Sequence, residues 1–381
     1  MPGPEKNRLY ACGTVFALLL IALLAFAAPV TAATITINPG DLIQTAVTAA
    51  NSGDTIILNP GTYSQSNIPI SKTITIRANT SYGGTAANTI IDGTKSGFPI
   101  FAVSSGSVTL DSLTFTNSSA GNGGAIRNDG GTFLSITNSA FTDCSALNTG
   151  GAIYNDAVGT ISSITNTTFT GCSATASGGA IENDGGTISS ITNSTFTGCS
   201  AGFFGGAIYN KGGGTIQSIS FSRFYSNTAP TGSAIFNSGT LTSSINNWWG
   251  TNAGSGASFS GVGTPATWLL LGVTPGQTSL TLAQTATIRA NLTFNSTGYN
   301  TVSLGNVPDG IPVAYSVSGI TGTFAPAQGN TTTGANTTVF TPTSLGAGTI
   351  AVAVDGETVS VPVTVTAIPL TGIGAITGTT Q

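Results

Sequence analysis

The 381-residue chain contains no histidine. That absence excludes Ser-His-Asp and Cys-His catalysis and any His-ligated zinc. Charge is scarce as well: nine Lys and Arg stand against 13 Asp and Glu, or 6% of the chain where roughly a quarter is usual. With nine cations and a net charge of −4, an electrostatic grip on nucleic acid is excluded. After residue 30 no apolar run of membrane-spanning length and no C-terminal lipidation Cys is seen, so no C-terminal anchor is expected. Glycine, in contrast, is abundant: its 52 residues are about twice the usual share of roughly 7%. The 40% apolar content argues against simple disorder despite the wealth of Ser, Thr, Gly and Asn.

Residues 1–32 read as a secretory signal peptide. Lys6 and Arg8 precede an apolar run from Val15 to Ala28, and small residues lead to Ala32 and Ala33. The run is shorter than the ~20 residues a spanning helix needs. Cleavage near Ala32 or Ala33, a secreted or cell-surface location and no stable membrane span afterwards are therefore expected.

The centre of the chain is a repeat. The phrase GGAIRN at 123–128 returns at 150–155 (GGAIYN), 178–183 (GGAIEN), 205–210 (GGAIYN) and, weakened, 232–237 (GSAIFN), in steps of 27, 28, 27 and 27 residues. Between these copies lie Asn138 to Cys144, Asn166 to Cys172 and Asn193 to Cys199, each with a central Phe. One unit holds three short β-branched or alternating bursts separated by Gly, Asn and Asp, which predicts three strands and three turns. Such a unit cannot close a core alone, but copies stacked in parallel about 4.8 Å apart can. A propeller blade needs roughly 40–50 residues, and the leucine-rich pattern is absent. About nine coils of a parallel β-helix, a rod of about 40 Å, are predicted over 34–255.

Stacking turns equivalent positions into columns. Ile126, Ile153, Ile181, Ile208 and Ile235 form one predicted inward file; Phe115, Phe141, Phe169, Phe196 and Phe224 form another. Asn128, Asn155, Asn183, Asn210 and Asn237 are predicted to form an amide ladder at a turn. Residues 34–122 continue the architecture less regularly. Asp41 to Asn51 is the one helical pattern, with Leu42, Ala46, Val47 and Ala50 on one face and Asp41 as cap, placed to cover the open end.

The Gln44–Tyr63 stretch with Thr89-Ile-Ile-Asp-Gly93 resembles the opening of pectin-lyase-like right-handed β-helix proteins. The GGAI copies with Phe224-Tyr-Ser-Asn227 resemble polymorphic outer-membrane protein repeats, although three copies carry Cys where that pattern has Asn. Asn246-Asn-Trp-Trp-Gly250 resembles the end of the helix in adhesin-like surface proteins of methanogenic archaea. These resemblances imply a fold and a surface location rather than a reaction.

Beyond Gly263 the period stops. About seven short strands separated by turn residues are predicted over 264–367, which suggests an Ig-like β-sandwich similar to bacterial Ig-like domains of the invasin type. Residues 368–381 read as a flexible tail. The expected class is all-β: a right-handed, single-stranded parallel β-helix followed by that sandwich.

Cys12 belongs to the signal, and Cys144, Cys172 and Cys199 share one column. Buried thiols or one bridge plus a free thiol both fit that spacing. Sequons at Asn79, Asn117, Asn291, Asn295, Asn330 and Asn336 are candidate glycosylation sites, while those at Asn166 and Asn193 fall inside repeats and have a structural reading. Asp129, Asp156 and Asp184, followed in the column by Lys211, are either solvated turn residues or a weak Ca²⁺ site. No other cofactor is implied. Beside them run Arg127, Tyr154, Glu182, Tyr209 and Phe236, an expected outward stripe whose rings can stack on sugars. The leading expectation is a non-catalytic, adhesin-like surface protein that contacts glycans or other envelope proteins. Its alternatives are a polysaccharide lyase or glycoside hydrolase of the same fold, which generally needs a carboxylate pair, and a passive envelope component.

Overall fold

The computed structural model describes residues 31–368. The expected signal segment up to residue 30, with Cys12, and the tail from 369 onward lie outside the described residues. From Thr34 to Gly261 the chain forms a parallel β-solenoid of about seven turns. Its walls are three long parallel sheets of 10, 8 and 7 strands. Each pairs equivalent residues of successive turns, as in Ile126↔Ile153↔Ile181↔Ile208↔Ile235 and Phe115↔Phe141↔Phe169↔Phe196↔Phe224. About seven turns carry all three walls, fewer than the nine coils expected, because the first and last levels are partial. The last wall strand is Phe259–Gly261, paired with Ile235–Asn237, so the solenoid runs past the expected end at 255.

Single left-handed residues turn the corners. Asn138, Asn166 and Asn193 sit at φ 49–50° after one wall, and Asp143, Gly171 and Gly198 at φ 52–64° after the next. Asn and Asp tolerate this conformation better than other non-glycine residues. The third corner needs a glycine pair: Gly150 has φ +64°, and a Cβ on Gly151 would strike the Gly179 carbonyl oxygen of the next level. The second corner splits the predicted TFTGCSA strand into two. A two-residue Ser-Ala run, as at Ser145–Ala146, forms a fourth, four-stranded sheet.

Inside, like stacks on like. Ring centroids along Phe115, Phe141, Phe169, Phe196 and Phe224 are 4.7–5.0 Å apart with planes within 10°, and Trp249 continues the file at 4.9 Å. Such ring pairs contribute roughly 0.5–1.5 kcal/mol each beyond their buried area. The asparagine ladder is continuous: Nδ2 of Asn128, Asn155, Asn183 and Asn210 each donates to Oδ1 of the next at 2.7–2.8 Å, and Asn237 Nδ2 donates to the Val262 carbonyl at 2.6 Å. These amides are buried, so the bonds satisfy groups that water cannot reach.

Among the described residues one α-helix, α1, is formed; it spans Ile43–Ala49 and buries Ile43, Ala46 and Val47 in the solenoid core. Leu42, expected on that face, is 56% exposed. The helix starts one residue later than predicted, so the i, i+3, i+4 stripe is 43/46/47 and Leu42 falls off it. Asp41 does not cap it; its Oδ2 accepts the Asn38 N–H instead.

Residues 269–366 form two sheets of four and five strands, antiparallel except where Ser279–Thr281 pairs in parallel with Thr364–Thr366. Both contribute to one core, with Leu271, Ile288 and Phe340 from the first and Val313, Ile350 and Val363 from the second. Gly322–Ala325 and Gln328–Asn330 are two short strands that the expected set of seven lacked. Phe221 and Trp248 of the solenoid enter this second core. Arg223 is joined there to Asp355, and Trp248 Nε1 donates to Asp355 Oδ2 at 2.7 Å.

Candidate functional site

The strand that carries the asparagine ladder alternates Ile inward, a variable residue outward, Asn inward. In-register pairing therefore places Arg127, Tyr154, Glu182, Tyr209 and Phe236 in one column, one per level. The column is not uniformly outward in accessibility. Glu182 is 2% exposed. Its register neighbours are Tyr154 on one side and Tyr209 on the other, and levels about 4.8 Å apart leave a glutamate between two such rings little access to water. The expectation of an open stripe is corrected at its centre.

Burial first, then the Asp184 charge, push the Glu182 carboxyl up to about 8, with Lys211 opposing. Its Oε2 has no hydrogen-bond partner. Asp184, two residues on, is fully engaged: Tyr154 donates its hydroxyl to Oδ2 at 2.9 Å, and Lys211 Nζ donates to Oδ2 and lies 2.9 Å from Oδ1. Burial and the bond to Asp184 raise the Tyr154 phenol well above its usual range. The same carboxylate raises Lys211.

The three aspartates of the proposed Ca²⁺ site do not converge. Asp129 takes the guanidinium of Arg127 at 2.6–2.7 Å. Asp156 accepts the Ala157 N–H at 2.6 Å, and Asp184 is held as above. Among the described residues no group of three or more Asp, Glu, Cys or His side chains is placed to hold a metal ion.

An aromatic cluster completes the flank, and its two most exposed rings were missed in the sequence. Phe203 and Phe204 are 60% and 38% exposed. Phe204 packs on Phe236 at 4.7 Å and on Tyr209 at 5.7 Å, and Tyr209 meets Phe236 at 5.5 Å. The signal was available as a break in the repeat: Gly202-Phe203-Phe204 stands where the preceding copies have Leu147-Asn148-Thr149 and Thr175-Ala176-Ser177.

The remaining candidates are structural in placement. Cys144, Cys172 and Cys199 are free and buried, each thiol directed to a main-chain carbonyl of the preceding level at 3.4–3.6 Å. Burial pushes the Cys172 thiol well up. Of the sequons, Asn79 and Asn117 donate their amides to Asn59 and Asp92. Asn291 and Asn295 are buried, which leaves no room for a glycan, and Asn336 bonds to the Asn330 carbonyl. Asn330 is exposed.

No family model and no curated protein matches the chain. Among solved structures, domains 4 and 5 of the S-layer protein SbsC align with 26% of this chain at 19% identity and a TM-score of 0.20. The chain spans 47% of that structure's length, and a likeness at this level says nothing of function.

Proposed function

We propose that the chain is an exported, adhesin-like surface protein without catalytic activity, which uses one flank of its solenoid to contact carbohydrate. In this reading the solenoid is a right-handed β-helix of the pectin-lyase-like type built from polymorphic outer-membrane protein-type repeats, and the C-terminal sheets are an Ig-like module. The two facing sheets around one core support the second part. The observation that carries the functional reading is the aromatic cluster in which exposed Phe203 and Phe204 adjoin half-buried Tyr209 and Phe236, with ring contacts from Phe204 to both and between Tyr209 and Phe236. Large aromatic patches on a soluble surface mark interaction sites, and ring faces suit the apolar faces of sugars.

A glycan array with the protein lacking its first 32 residues tests this. Binding that is lost in Phe203→Ser/Phe204→Ser, with an unchanged melting temperature, is the expected result. Absence of any glycan binding leaves the passive envelope role. One observation favours the hydrolase reading: Glu182 and Asp184 are carboxyl groups two residues apart, and burial holds the first protonated, as the acid of an acid–base pair requires. Against it, Asp184 is occupied by Lys211 and Tyr154, and Glu182 is closed over. Released sugar, saturated or unsaturated, from pectins and other uronic-acid polymers would overturn the non-catalytic reading.

A further inference from the structure

The aromatic flank holds a carboxyl group that the fold encloses and leaves with an unpartnered oxygen. Glu182 is 2% exposed, and its Oε2 finds no partner. Native structures rarely leave a buried polar atom unpaired, and such an atom calls for an explanation. The charged and titratable groups around it are Asp184 just past the end of its own strand, Tyr154 and Asp156 one level before, and Tyr209 and Lys211 one level after. Asp156, Glu182 and Asp184 are three carboxyl groups against one ammonium, and that ammonium is already bonded to Asp184. The rings beside them add to the same sign, because an aromatic face carries the negative lobe of its quadrupole. An acidic sugar would meet this excess of carboxyl groups, and a neutral one would make no use of it.

We propose that this flank is a site for an amino-bearing carbohydrate in its ammonium form, held over the rings of Tyr209, Phe204 and Phe236, with Glu182, enclosed one level before Tyr209, as the counter-charge that selects the cation through space rather than by contact. The inference rests on the glycan-contact reading above and names the ligand class of that same site. The pair Phe204–Phe236, 4.7 Å apart and tilted by 21°, with Tyr209 beside both, offers more apolar area than a single ring and suits a sugar ring better than an isolated lysine side chain. Cation–π attraction and the carboxyl act on the same group of the ligand. Because burial holds Glu182 protonated up to about pH 8, a cation placed over Tyr209, one level away, draws it to the ionised form; a ligand of fixed charge then releases one proton to the solvent, whereas an amine that is neutral when free takes that proton up itself.

Isothermal titration of the signal-free chain with glucosamine hexamer, N-acetylglucosamine hexamer, N,N,N-trimethylglucosamine hexamer and hexalysine tests the proposal. The glucosamine hexamer is expected to bind about tenfold tighter than its acetylated form at pH 7. With the trimethyl hexamer, whose charge is fixed, proton release should show as a dependence of the heat on the buffer's ionisation enthalpy. The permanently charged trimethyl hexamer should gain affinity between pH 6 and pH 9. Glu182→Gln should remove the proton release, the pH dependence and the preference for the ammonium form, and leave binding of the acetylated hexamer in place. Lys211→Met, which removes the competing cation, should tighten glucosamine binding. Equal affinity for the glucosamine and acetylated hexamers overturns the counter-charge and leaves the glycan reading standing. Failure of all three sugar hexamers to bind overturns the amino-sugar site, with the glycan reading then decided by the array, and tighter binding of hexalysine than of the glucosamine hexamer overturns the carbohydrate assignment.

Discussion

Replacing Glu182 by Gln should stabilise the fold, and by an amount that grows with pH. The folded chain holds this carboxyl protonated to about pH 8, whereas an ordinary glutamate titrates at 4.5. Between those limits the unfolded chain has released a proton that the folded chain retains, so rising pH favours unfolding. Each unit of difference is worth about 1.4 kcal/mol, so the loss reaches at most about 5 kcal/mol by pH 8. Water that enters on local opening would reduce it. Gln keeps the shape, does not ionise and leaves the asparagine ladder untouched. Urea unfolding of both proteins, followed by tryptophan fluorescence and circular dichroism at pH 5, 6, 7 and 8, gives the difference directly. It should be smallest at pH 5, widen by up to about 1.4 kcal/mol per unit and level off above pH 8. Parallel curves across the whole range would refute the claim that Glu182 is held protonated by burial.

Two further outcomes follow from the packing. Phe169→Ala opens a gap in a file whose rings lie 4.8 and 4.7 Å on either side, and should cost about 3–5 kcal/mol in urea unfolding. Asp355→Ala leaves the Arg223 guanidinium, 12% exposed, without its carboxylate and frees Trp248 Nε1, so it should cost about 3–5 kcal/mol. Limited proteolysis between residues 262 and 268 should accelerate in that variant and remain at the wild-type rate in Phe203→Ser.

The columns were legible because a repeat converts sequence spacing into stacking. Once GGAI returned every 27 or 28 residues, the files of Ile, Phe and Asn needed only the assumption of parallel pairing. The burial of Glu182 was not legible in the same way. It depends on the size of Tyr154 and Tyr209 at adjacent levels, a property of three residues from three repeats rather than of any one position. Phe203 and Phe204 were hidden because departures from a repeat resemble decay. The joint between Arg223 and Asp355 links positions 132 residues apart that share no pattern. The short Ser-Ala strands escaped because two residues carry no periodicity.

The amide ladder has a direction. Every side chain hands its hydrogen toward the C-terminal end, from Asn128 up to Asn237, and the backbone of Val262 receives the last one. Inverting a single member would set two oxygens against each other on one side and two NH₂ groups on the other, so the row can reverse only as a whole. At each boundary between turns the donor of one level meets the acceptor of the next, so an added turn must match the one already in place. The row makes every turn a template for its neighbour, from whichever end winding starts.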